Sequence, residues 1–197
     1  MEMRFSWNSP STRLVLTAVL DSLAEHGYDG LTGEELRLHA GPAARALGDP
    51  LDVEALLVAA LERVHVFAPV EATGFLGDDL RALLAGWRGG LSHDERVITA
   101  VLSAAEWHPR LREAVHDALD RPLAQAIGSL LSRVASHDDI PPRRLLTLNW
   151  VLRGLVLDRL RSGPRTPVDL DALVGFLVAG VQAADSEAHP VASRWTQ

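Results

Sequence analysis

The sequence predicts an all-α protein, and three observations support this prediction. The apolar residues, which make up 47% of the 197 positions, are mainly Leu, Val and Ala, a composition that favours helices. Apolar side chains recur at every third or fourth position along most of the chain, as on one face of a helix. Helix start signals, namely Ser or Thr followed three residues later by Glu, or a Pro, precede several of these stretches.

The first three predicted helices are close together in the chain. An amphipathic helix is predicted for residues 11–26. A short helix follows, for which Thr32 is a good N-cap and Glu35 can complete a capping box. Gly41 can adopt the left-handed conformation that ends a helix, and Pro42 suits the first turn of the next, from Ala43 to about Gly48. Two short helices joined by a turn that contains glycine indicate a helix-turn-helix.

The rest of the chain is also predicted to be helical, with short breaks. Ser92 and Glu95 form a second capping-box pattern, and Pro122 is expected to kink the long helix in which it lies. The further helices are predicted from about Asp52 to Phe67, Gly77 to Trp87, Ser92 to Trp107, from Pro109 to about Ser136, Arg143 to Arg161 and Asp169 to Ala183.

The last two predicted helices are apolar on most of their circumference. Helices of this kind are buried on more than one side, and in a chain of this size a second subunit supplies the other side. Two such helices and their symmetry mates would form a four-helix bundle with a two-fold axis. The residues predicted to lie in this homodimer interface are Leu148, Leu152, Leu155, Phe176 and Leu177.

The composition and the motifs exclude several classes of site. The chain has no Cys, so it contains neither disulfides nor zinc sites made of thiolates. It shows no signal peptide, and charged residues interrupt every apolar run that would have to span a membrane. We find no nucleophile elbow, glycine-rich phosphate loop or zinc-protease motif. We therefore predict a cytoplasmic protein that is not an enzyme and has no cofactor or membrane partner.

One trio of possible metal ligands lies along the long helix. Glu113, His116 and Asp120 are separated by three and four positions, a spacing that can bring carboxylates and an imidazole to one ion. The apolar residues beside them mark a different face of the helix as buried. The trio is therefore interpreted as a solvated charged face, and no metal site is predicted.

The order of the first elements is similar to that of a known family. A helix, the segment EHGYDGLT, a short helix, the pair AG, a second short helix and the segment EALLVAAL resemble the N-terminal domain of the TetR/AcrR family of bacterial regulators over residues 13–64. The carboxy-terminal region resembles the family's ligand-binding domains more loosely. The resemblance implies a DNA-binding domain at 1–51 and a ligand-binding and dimerisation domain at 52–197, as in a repressor that responds to a small molecule.

The resemblance also implies where DNA and ligand bind. In this family the second short helix is the recognition helix, which enters the major groove, and Arg45 is its residue that can contact guanine with two hydrogen bonds. The implied DNA-binding residues are Thr32, Ala43, Ala44, Arg45, Leu47 and Gly48. The candidate ligand-binding residues in the mostly apolar cavity expected among the middle helices are Trp87, Trp107, His108, His116, Asn149, Trp150 and Arg153.

Several of these residues also have simpler interpretations. Arg45 can be an exposed, solubilising side chain. Trp107 and His108 can pack under a turn, and Asn149 and Arg153 can be solvated at the edge of the dimer. All these alternatives are compatible with the sequence.

Charge leaves a second function open. The net charge is −7, and residues 1–70 contain five Arg against ten Asp and Glu, a net charge of −5. The family commonly has a Tyr where this chain has Gly48, and a Lys near the start of the next helix, where this chain has Asp52. Because neutralising phosphates supplies most nonspecific affinity for DNA, the alternative is a dimeric ligand-binding protein of the same fold that has lost most of its DNA affinity.

Overall fold

The computed structural model describes residues 9–46, 52–67, 73–137, 140–163 and 169–183. Within these ranges the regular structure is helical and contains no strand, which confirms the all-α prediction. The α-helices are α1 (Pro10–His26), α2 (Gly33–Ala40), α3 (Val53–Leu61), α4 (Leu76–Leu83), α5 (His93–Leu102), α6 (Pro109–Val115), α7 (Arg121–His137), α8 (Pro142–Ser162) and α9 (Leu170–Gln182).

Side-chain caps set several of the helix starts. The capping box predicted at Ser92 is confirmed: its hydroxyl accepts from the backbone N–H of Glu95 at 3.1 Å, and the Glu95 carboxylate accepts from the N–H of Ser92 at 2.7 Å. Thr32 caps α2 through the N–H of Glu35 at 3.1 Å. The reciprocal bond expected from Glu35 is not formed, because its carboxylate lies 3.4 Å from His39 instead.

Some predicted helices are shorter or tighter than expected. The helix predicted from Ala43 to Gly48 is a 3-10 helix over Gly41–Ala46, and Leu47 and Gly48 lie outside the described residues. Helix α3 ends at Leu61 rather than near Phe67. The helices predicted to reach Trp87 and Trp107 each end in a separate 3-10 turn, at Ala85–Arg88 and Ala104–Glu106.

The disturbance predicted at Pro122 takes the form of a π-helical segment. Helices α6 and α7 are continuous through His116–Asp120, where the N–H of Arg121 donates to the carbonyl of His116, five residues back. Pro122 has no N–H to donate to the carbonyl of Ala118, so the regular bonding pattern is already interrupted there. A wider turn next to the proline accommodates that interruption.

The N-terminal helices share one hydrophobic core with the rest of the chain. Helix α1 packs against α2 and α3 and also against α5, while α3 packs against α6. Two polar contacts also join the N-terminal helices to the later ones: the Asp21 carboxylate lies 3.0 Å from His93, and the Tyr28 hydroxyl lies 3.4 Å from His108. The N-terminal helices are therefore attached to the later helices by both apolar and polar contacts.

A buried ion pair lies in the core between α5 and α8. Arg159 donates to the Glu95 carboxylate at 2.7 Å, and both side chains are only 8% exposed. The guanidinium also donates to the carbonyls of Gly86 and Gly90 and lies 5.5 Å from the centre of the Trp87 ring. Because Glu95 also caps α5, one carboxylate fixes the start of one helix against the end of another.

The residues predicted for the dimer interface divide into two groups. Leu148, Leu152 and Leu177 are buried in the core of the single chain, so the prediction that they face a partner is corrected: they hold α8 and α9 onto the other helices. Leu155 is half-buried, and Phe176 is 74% exposed. The large apolar side chains that α8 leaves exposed are Leu146, Trp150 and Val151.

In the described part of the chain, no helix combines the length and the apolar character needed to cross a bilayer.

Candidate functional site

The segment that resembles a helix-turn-helix is built from α2 and the 3-10 helix at Gly41–Ala46. Leu36 and Ala40 of α2 are buried in the core, and both elements contact α1. Gly41 joins them with a φ of 51°, a left-handed conformation that glycine adopts without steric cost. The 3-10 helix therefore follows α2 without an intervening loop.

The turn before α2 depends on a close approach of the backbone. A Cβ placed on Gly30 would lie 2.7 Å from the Cβ of His26 and 2.9 Å from its carbonyl oxygen. Only glycine fits at this distance, so Gly30 lets the chain fold back over the end of α1. Tyr28, in the same turn, reaches His108 at the start of α6.

The structure places part of the predicted DNA-binding set. Thr32 is occupied as the cap of α2, and Ala43 is half-buried against the core. Ala44 and Arg45 lie in the 3-10 helix, and contact between Arg45 and a base stays a prediction. Asp52 caps α3 by accepting from the N–H of Ala55 at 2.9 Å, which gives its negative charge a structural role.

A groove of about 740 Å³ runs between α3 and the helix formed by α6, the π segment and the start of α7. Its walls are mostly small apolar side chains, and charged groups stand among them. One of these groups, the carboxylate of Asp117, is paired with Arg121 at 2.6 Å. The backbone N–H of His65 donates to the carboxylate of Asp94 at 2.7 Å. The lining residues are Ala55, Val58, Ala59, Leu61, Glu62, Val64, His65, Arg110, Glu113, Ala114, Asp117, Ala118 and Pro122.

A second groove, of about 540 Å³, lies beside α6 near the end of α8 and has a more charged lining. His116 and Asp120 line it, and their side chains lie 3.4 Å apart. Arg153 reaches the other oxygen of the Asp120 carboxylate at 3.7 Å. Two of the predicted ligand-binding residues, His116 and Arg153, thus meet at one carboxylate.

The other predicted ligand-binding residues do not come together. Trp87 is buried beneath Arg159, whereas Trp107 is 81% exposed. His108 faces Tyr28. On α8, Asn149 is half-buried and Trp150 is 68% exposed.

Sequence reasoning missed the lining of the larger groove, whose apolar part consists mainly of Ala and Val. The usable signal was the small residues Ala55, Val58 and Ala59, which recur on one face of α3. Small side chains leave space between packed helices, but the sequence does not say which helix faces them.

The trio Glu113, His116 and Asp120 does not form a three-ligand set. His116 and Asp120 are close, but Glu113 does not bring its carboxylate to the same point. In the described residues, the set of three ligating side chains that do lie near one another is Glu25, His26 and His39.

Comparison of the chain with protein-family models and with curated proteins finds no match in either.

Proposed function

We propose that this protein is a TetR-like transcriptional regulator, a cytoplasmic homodimer that binds operator DNA and responds to a small molecule. The observation that carries the proposal is the order of elements: a Thr32-capped helix, a left-handed glycine, a short 3-10 helix and then α3, packed together on α1. This order agrees with the sequence resemblance over residues 13–64.

The position of the larger groove supports coupling between ligand and DNA. Helix α3 follows the proposed recognition segment in the chain, and it forms one wall of the groove. A small molecule bound there would contact α3 and α6 together and would favour one arrangement of the N-terminal helices. Operator DNA would favour another, so each ligand would change the affinity for the other.

The charges of the groove indicate a class of ligand. Among the described lining residues, two carboxylates, Glu62 and Glu113, are in no described ion pair. The same set contains one guanidinium, that of Arg110. The volume suits a drug-sized molecule, and most such sites combine apolar walls with a few polar groups. We propose a ligand with an apolar body and a positive charge.

Two probes of the same shape and opposite charge test this ligand class. Tetraphenylphosphonium should bind and raise the Tm, and tetraphenylborate should bind at least about tenfold more weakly, because like charges repel and opposite charges attract at close range. Ala114→Trp should abolish binding by filling the groove, and Glu62→Gln should reduce it. Equal affinity for the two probes, or binding that survives Ala114→Trp, would remove the groove from the proposal.

Selection from a library of genomic duplex fragments, at about 50 and 200 mM salt, tests DNA binding. We expect a palindromic site with half-sites about one helical turn apart and an affinity that falls as salt rises. Arg45→Ala should weaken specific binding by about 1–3 kcal/mol and relax the preference at one base pair. Arg88→Ala, a change at an exposed Arg elsewhere, is the control, and equal effects of the two changes would refute the role given to Arg45.

The second candidate function is a dimeric ligand-binding protein with little DNA affinity. The net charge of −5 in residues 1–70 favours it, as does the engagement of Thr32 and Asp52 in helix caps. The same selection separates the two functions. Absence of a selected site at the lower salt concentration, with tetraphenylphosphonium binding retained, would establish the second.

A further inference from the structure

Three side chains that can bind a metal ion meet where the end of α1 faces α2. The ligating atoms of Glu25, His26 and His39 all lie within 4.8 Å of one another, and all three residues are exposed. We propose that they bind a first-row divalent transition-metal ion, of which Zn²⁺ is the representative. The proposal does not depend on whether the protein binds DNA.

The donor set favours this class of ion. Two imidazoles and one carboxylate suit Zn²⁺ and its neighbours, whereas Mg²⁺ and Ca²⁺ prefer oxygen ligands. Ligands about 2.1 Å from a tetrahedral ion lie about 3.4 Å from one another. Because the three side chains are exposed, small rotations can close the remaining distance, and water can complete the coordination.

The surroundings of His39 prepare its ring for metal binding. The Nδ1 atom lies 3.1 Å from the carbonyl oxygen of Glu35, to which Nδ1–H can donate, and 3.4 Å from the Glu35 carboxylate. We assign the tautomer from this bond, and it leaves the lone pair of Nε2 available to an ion. When one ring nitrogen of a histidine binds a metal ion, the N–H of the other ring nitrogen usually donates to a carbonyl or a carboxylate, as Nδ1–H of His39 can do here.

The backbone brings the second histidine to the same place. His26 is the last residue of α1, and the close approach of Gly30 to it folds the following turn tightly against the helix end. Helix α2 begins directly after that turn, and its His39 ring meets the His26 ring edge to face, with centroids 5.8 Å apart. A bound ion would therefore connect two helices across the turn and restrain their relative position.

Titration calorimetry of the untagged full-length protein with ZnCl₂ tests the site. We expect one site of micromolar Kd in the wild type, weakened about tenfold or more by His26→Gln and by His39→Gln. His116→Gln is the matched control, because His116 is also exposed and also lies near a carboxylate, and it should leave the Kd unchanged. MgCl₂ should give no binding heat.

A thermal scan provides a second measurement on the same proteins. Zn²⁺ should raise the Tm of the wild type and of His116→Gln, because a ligand that binds only the folded state stabilises it, and should raise the Tm of His39→Gln less, because that variant binds more weakly. Circular dichroism without metal verifies that each variant is folded. The proposal is overturned if the wild type binds no Zn²⁺, or if His26→Gln and His39→Gln both bind Zn²⁺ as tightly as the wild type.

Discussion

At the scale of single residues, the Arg159 side chain has the most demanding surroundings that we observe. Its guanidinium is buried with the Glu95 carboxylate, with two backbone carbonyls and with the face of Trp87. A buried charge is tolerated only when its partners replace the water it has lost. The pair therefore specifies how α5 and α8 fit together, through geometry that few other side chains can satisfy.

Removing one member of this pair should be costly. Arg159→Met leaves the Glu95 carboxylate buried without its cation, and we expect the free energy of unfolding to fall by about 3–5 kcal/mol. Urea unfolding followed by circular dichroism measures the change. Arg121→Met is the matched control, because it breaks an exposed pair with Asp117 and should cost less than about 1 kcal/mol. Similar losses in the two variants would show that the buried pair contributes no more to the free energy of unfolding than an exposed pair does.

The pKa of Arg81, on the surface, is raised by a contact between two helices. The hydrogen bond from Arg81 to Asp171 raises the pKa of the guanidinium above its ordinary value, and a second bond to Asp78 acts in the same direction. Since an Arg is protonated at any pH at which the protein folds, the shift does not create a pH switch. It identifies a contact that joins α4 to α9.

At the scale of elements, two glycines in the same fold should respond in opposite ways to alanine. Gly41 has a φ of 51°, where a Cβ is strained, so Gly41→Ala should destabilise the protein by about 1–2 kcal/mol. Gly128 lies within α7 without a positive φ, and a Cβ there would meet nothing within 4 Å. Gly128→Ala should stabilise it by about 0.5–1 kcal/mol.

Thermal or urea unfolding of the two single variants measures these effects. A stabilising Gly41→Ala would mean that the turn between α2 and the 3-10 helix does not require glycine. The conformation of that turn would then be set by the packing around it and not by the residue at position 41.

Elements were predicted best where a local signal determines them. The start of α5 follows from Ser92 and Glu95, and the irregular π-helical turn in the long helix lies next to Pro122. The ends of helices were predicted less well, because tertiary packing decides them: α3 stops at Leu61 although its apolar pattern continues. A cavity among the middle helices was expected, but the residues that line the larger groove could not be predicted. The groove lies where α3 meets α6, and the sequence does not specify that pairing.

At the scale of the whole molecule, α8 and α9 contact each other, and each leaves apolar surface uncovered. Trp150, Val151 and Phe176 are exposed. At Gly154, Gly175 and Gly180 an added Cβ would meet nothing within 4 Å, so the surface of each helix is open there and another helix can approach closely. Large exposed apolar patches mark interaction sites, and we propose that a second copy of the chain covers these two helices.

Trp150→Asp tests the dimer without disturbing the fold, because the Trp150 side chain is 68% exposed in the single chain. A charge buried at a two-fold interface faces its own copy or loses its water, so the variant should elute as a monomer while its circular dichroism stays unchanged. Trp107→Asp is the matched control: it removes an equally large and exposed ring, at the turn before α6, and should leave the dimer intact. Size exclusion with light scattering gives the masses. A wild type that is monomeric, or a Trp150→Asp variant that remains dimeric, would show that the apolar surface of α8 is not where two chains meet, and the spacing of the two proposed DNA-binding segments would then need another origin.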